Sequence, residues 1–136
     1  MAEKWAFKIN NPKSLIDKLG LKPESRVAVL GVNDPDFFAR ATQRLGAAPA
    51  QKASPGLDFV FYAADRSAEL GRLKTLKRYL KPAGAIWVVS LKGKAARIKD
   101  TDVMRAARTA GLVDLKVCSF SPTHTALKLV IPQSAR

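Results

Sequence analysis

One histidine, His124, and one cysteine, Cys118, are all the chain offers for imidazole or thiol chemistry. No Ser-His-Asp or Cys-His pattern can be assigned from the spacing, and a general base needs its proton donor within hydrogen-bond reach. His124 follows Ser121-Pro122-Thr123, a turn sequence, where a histidine is ordinarily a surface residue. Cys118 sits in the run Val113-Asp114-Leu115-Lys116-Val117-Cys118 and reads as a small buried side chain. Alone, it leaves no internal disulfide and no cysteine metal cluster. The remaining chemistry belongs to charged residues that follow apolar runs. Asn33 and Asp34 come after Leu30-Gly31. Asp65 and Arg66 come after Phe61-Tyr62-Ala63-Ala64. Ser90, Lys92 and Lys94 come after Ile86-Trp87-Val88-Val89, and Gly93 would let the two ammonium groups converge on an anion. The same loop also reads as solvated. Asp65 with His124 is the pair an enzyme could use, although an Asp opening a turn into a helix is routine.

These residues need elements to position them. Asn11-Pro12 is a helix start, with Asn capping free amides and Pro fitting the first helical position. Leu15, Ile16 and Leu19 form its apolar face, and Gly20 closes it. Ahead of it, Trp5, Phe7 and Ile9 alternate with polar residues as a short extended arm. Arg26 to Gly31 is a β-rich run for a central strand. Asp34 then caps a helix that Pro35 begins, and Asp36 complements the positive end of its dipole. Phe37, Phe38, Ala41 and Leu45 are its buried face, and Gly46 ends it. Residues 47–56 are weakly patterned, with room for a short strand and a turn. Leu57 to Ala64 is a second strand. A helix from Ser67 carries Leu70, Leu73, Leu76 and Leu80 inward and Arg72, Lys74, Arg78 and Lys81 outward, until Pro82 and Gly84 stop it. Residues 85–91 make a third strand. The basic loop 92–99 leads to a helix over about 101–110, closed by Gly111. Residues 113–119 and 125–131 are two strands joined as an antiparallel hairpin.

Strands and helices in alternation define an α/β fold: a three-layer, Rossmann-like, mostly parallel sheet with a C-terminal antiparallel hairpin. The 136 residues suit one domain, with an arm over 1–10, a core over 11–132 and a tail over 133–136. No run approaches the roughly 20 apolar residues that span a bilayer. The charged N-terminus lacks a signal peptide's apolar region, so the expected location is the cytoplasm, away from membranes.

The net charge of +13 is uneven. Residues 1–68 hold ten Lys/Arg against seven Asp/Glu, and residues 69–136 hold fourteen against four. Eleven basic residues fall between Arg72 and Arg108, opposed only by Asp100 and Asp102. Such a field draws polyanions, so an anionic ligand or a nucleic acid is the expected kind of partner. The aromatic residues fall mostly on apolar faces and read as core. That weakens a base-stacking role.

The phrase Leu80-Lys81-Pro82-Ala83-Gly84-Ala85-Ile86-Trp87-Val88, with a hairpin ending a parallel sheet, resembles the class I methyltransferase core. Lys18-Leu19-Gly20-Leu21-Lys22-Pro23, Arg26-Val27, Gly111-Leu112-Val113-Asp114-Leu115-Lys116-Val117-Cys118 and Leu127-Lys128-Leu129-Val130 resemble a family of small stand-alone bacterial proteins of unknown function. This second resemblance runs over roughly residues 14–131. It implies a Rossmann-like fold and no activity. Ala83 departs from the usual phrase, which has a second glycine there, and alanine suits the position unless φ is positive.

In an open α/β sheet, ligands bind beyond the carboxyl ends of the strands. That rule selects Gly31, Asn33, Asp34, Asp65, Arg66, Ser90, Lys92, Lys94 and His124, with Thr123 beside the last. Binding adenosylmethionine or a dinucleotide calls for several glycines after the first strand, so that amides can approach the ligand. Here there is one, Gly31, and Pro35 removes a donor. No Asp or Glu lies between Asp36 and Asp58 to hold ribose hydroxyls. The expectation is a non-catalytic binding or regulatory domain with no cofactor and no metal, and an anion-binding edge near Lys92 and Lys94. An uncharacterised enzyme, including an adenosylmethionine-dependent one, and a non-specific nucleic-acid binder are the alternatives.

Overall fold

The structure, a computed structural model, describes residues 14–136. The extended arm at 4–9 and the helix start at Asn11-Pro12 lie outside the described residues. The helix bearing Leu15, Ile16 and Leu19 is α1 (Leu15–Leu19), and Ser14 caps it by accepting from Asp17 N at 3.3 Å. Strand β1 (Val27–Leu30) and helix α2 (Pro35–Leu45) follow, then β2 (Leu57–Ala63). Two short helices come next, α3 (Ser67–Leu70) and α4 (Leu73–Lys77). The chain closes with β3 (Leu80–Leu91), α5 (Asp100–Thr109), β4 (Val113–Ser119) and β5 (His124–Val130), apart from two short 3-10 turns.

The five strands form one sheet in the order β1-β2-β3-β5-β4. The β1-β2 and β2-β3 pairs are parallel, and β5 runs antiparallel to both β3 and β4. The weakly patterned 47–56 segment adds one bridge to β1, between Ala28 and Ala50. Side chains alternate across the sheet, so β1, β2, β3 and β5 each feed two cores, while the edge strand β4 contributes no buried residue. Val29, Phe61, Trp87 and Val89 pack under α1 and α2, with Phe37 and Ala41. Ala28, Val60, Ile86, Val88 and Leu127 pack under α3, α4 and α5, with Leu70, Leu73, Leu76 and Val103. These are the three layers expected of this element order. No helix among the described residues is long and apolar enough to cross a membrane.

The structure corrects five local expectations. The helix from Ser67 breaks at Gly71-Arg72 instead of running to Lys81. Leu80 is the first residue of β3, because Leu57 and Leu80 pair across the ladder. Pro82 and Gly84 therefore do not stop a helix; they belong to an irregularity in β3. Between the pairs Leu57–Leu80 and Phe59–Ala85, Asp58 alone faces residues 81–84. Gly84 is required by close packing, since a Cβ there would lie 2.9 Å from Leu57 O. Ala83 needs no glycine, for Glu24 is the sole non-glycine with positive φ among the described residues. His124 is the first residue of β5, paired with Leu91, and so lies past the turn. Cys118 is half-buried, and desolvation pushes its thiol above the usual range against the opposing charges of Lys116 and Lys18.

Candidate functional site

The turn after β1 is built by the sequence Gly31-Val32-Asn33-Asp34-Pro35. Gly31 takes φ +78°, a left-handed conformation that favours glycine. Asp34 is extended, and its Oδ1 accepts from Phe37 N at 3.0 Å. Pro35 has no amide to offer. Asp36 adds negative charge in the first turn and pairs with Arg40 at 3.1 Å. The helix N-terminus is thus closed by the protein's own carboxylate.

Asp65 ties two strand ends together. Its Oδ1 accepts from Leu91 N at 2.8 Å, and its own amide donates to Glu69 Oε1 at 2.9 Å. His124 is fixed at the start of β5. Its Nδ1 lies 2.8 Å from Thr123 Oγ1, and its amide donates to Ser121 Oγ at 3.1 Å. Between these groups lies a cavity of about 290 Å³. Gly31, Asn33, Asp34, Asp65 and His124 line it, with Phe120 at one wall. Phe120 rests on Phe37, their ring centroids 4.8 Å apart, so the wall is anchored in the core beneath α2.

The other residues picked from the sequence lie elsewhere. Arg66 is exposed and sits 3.9 Å from Glu69. Ser90 is buried and pairs with Thr125 in the β3-β5 ladder. Lys92 Nζ donates to Ser119 Oγ at 2.6 Å, toward β4. Lys94 is exposed within a 3-10 turn. None of the four lines the cavity. Sequence reasoning did not single out Phe120 or Ser121 for the site. The hairpin places them there, and the register of β5 was the signal that could have shown it.

The fold is that of the methyltransferases. A methyltransferase from Aquifex aeolicus, described as SAM-dependent, superposes with a TM-score of 0.67 at 15% identity, covering 90% of each chain. A TehB-like SAM-dependent methyltransferase from Corynebacterium glutamicum gives 0.55 at 12% identity, covering 96% of each chain. One from Clostridium acetobutylicum, named S-adenosylmethionine-dependent, gives 0.56 at 9% identity over 96% of this chain and 97% of that one. No protein-family model and no curated protein matches the sequence.

The residues at the edge do not fit the cofactor those proteins are named for. The turn has one glycine, no amide at Pro35, and a carboxylate already seated on the helix N-terminus. The segment leaving the Ala50 bridge continues as Gln51-Lys52, with no acid for ribose hydroxyls.

Proposed function

We propose that the chain is a non-catalytic binding domain on a methyltransferase-like fold, taking an anionic ligand at the carboxyl edge of its sheet without adenosylmethionine. The observation that carries this reading is the β1-α2 turn, where Asp34 occupies the position of incoming negative charge. The basic balance of residues 69–136 supports the anionic character of the ligand. Asp65 and His124 share a cavity, yet Asp65 Oδ1 serves Leu91 N and His124 Nδ1 serves Thr123. Their hydrogen bonds hold strands and turn, which supports a structural use of both. Titration calorimetry checks the proposal. Adenosylmethionine at millimolar concentration is expected to give no saturable heat, and a tight one-to-one isotherm would overturn the reading.

A further inference from the structure

A second cavity, of about 510 Å³, opens on the other side of the strand ends. It shares Gly31 and Ala63 with the first. Its apolar lining is Leu30, Ala63 and Leu76, with the rings of Tyr62 and Tyr79. Gln51, Lys52, Arg72 and Thr75 supply its uncharged and basic polar lining, and all four are exposed. Its one carboxylate, Glu69, is engaged: Oε1 accepts from Asp65 N at 2.9 Å and from Arg66 N at 3.0 Å. Other basic residues near acids have paired, as Arg44 with Asp17 and Lys81 with Asp58. Among the described residues, neither Lys52 nor Arg72 makes an ion pair. Arg72 is held instead over the Tyr62 ring, 5.7 Å from its centroid, and the Tyr62 hydroxyl donates to Glu69 O at 2.8 Å. The guanidinium also hydrogen-bonds the Tyr62 phenol, which steadies it, and its five donors outnumber that one contact, so donors remain for an anion.

We propose that this cavity is a phosphate-ester site, with Arg72 and Lys52 holding the phosphate and the tyrosine-lined floor receiving a flat ring, as in a mononucleotide. The volume lies within the usual range for small-molecule sites and exceeds what a bare phosphate fills. Two cations, a hydroxyl and an apolar floor match an anion joined to an apolar body. An adenosylmethionine sulfonium would meet like charge here. The inference rests on the reading of the carboxyl edge as ligand-binding and adds the site and the ligand class.

The test is titration calorimetry of the whole chain with adenosine 5′-monophosphate and with inorganic phosphate, at constant ionic strength. The nucleotide is expected to saturate one site, with phosphate alone binding more weakly. Arg72→Gln should weaken the nucleotide about tenfold or more, the usual size for a charge-assisted hydrogen bond, and Lys52→Gln should weaken it less. Arg72→Lys should restore part of the loss. Arg97→Gln removes the same charge from an exposed position that lines neither cavity and should change little. No nucleotide binding, or binding that Arg72→Gln leaves intact, overturns the site. Equal losses from Arg97→Gln and Arg72→Gln also overturn it, since they indicate only a diffuse field. If neither the nucleotide nor adenosylmethionine binds, this site falls while the reading of the β1-α2 turn stands. Adenosylmethionine binding removes that reading itself.

Discussion

On the α2 side of the sheet, the ionisable groups at the carboxyl edge are already spoken for. Asp34 caps α2, Asp65 bonds to Leu91, and His124 leans on Thr123. On the α3-α4 side, Lys52 and Arg72 line a larger cavity with no ion pair to the described residues. The sheet is common to both, and so is the wall at Gly31 and Ala63. The contrast separates charge used to build the edge from charge left facing solvent. A polar side chain satisfied by the backbone is evidence for architecture. A cation with no carboxylate partner beside an apolar floor is better evidence for a ligand.

The comparison breaks most visibly at Phe37. This ring is buried, 5.0 Å from Phe61 and 4.8 Å from Phe120 by centroids. Phe37→Ala should cost about 3–5 kcal/mol through the lost packing and the space left behind. Urea denaturation measures it, and native-state nucleotide affinity should stay near that of the parent. A comparable loss of affinity would mean that the two sides are not separable.

A smaller effect is expected at Asp65. Asp65→Ala leaves the Leu91 amide without its acceptor and should cost about 1–3 kcal/mol, the usual penalty for a stranded donor. The denaturation midpoint is the readout. A change below a few tenths would show that the carboxylate is no strut.

The smallest effect concerns Tyr62. Burial pushes its phenol above the ordinary 10.0, with Arg72 opposing that rise. The folded chain therefore favours the neutral ring. The stability this gives is complete below about pH 10 and declines as pH rises through the folded-state value. Tyr62→Phe should lose about 1 kcal/mol at neutral pH, with the bond to Glu69 O, and should flatten that part of the alkaline limb. Stability measured from pH 8 to pH 11 decides it; an unchanged limb would place the titration elsewhere.

Much of the fold was legible because each strand announces itself locally. Arg26 to Gly31, Leu57 to Ala64 and Ala85 to Leu91 are apolar runs, and Asp34-Pro35 and Gly46 bracket α2. The start of β3 was not legible. Leu80-Lys81-Pro82-Ala83-Gly84 satisfies helix-stop chemistry, and only the long-range partner Leu57 pulls Leu80 into the ladder. The first cavity was half legible: the strand-end rule found Asp34, Asp65 and His124, while Phe120 needed the hairpin register. The second cavity was hidden. Lys52 comes from a segment without periodicity, and Arg72 reads as the solvent face of a helix. Neither pattern says that the two face one hollow.

The shared wall has a practical meaning. Gly31 and Ala63, the two smallest kinds of residue, face both hollows, and Ala63 is also paired with Val89 in the ladder. Gly31 sits at φ +78°, where a side chain is strained, and a Cβ there would already stand 3.6 Å from Ala63 Cβ, so the wall has little room for bulk from either residue. The smallest residues the chain could place there are thus what let two hollows sit back to back at one rim.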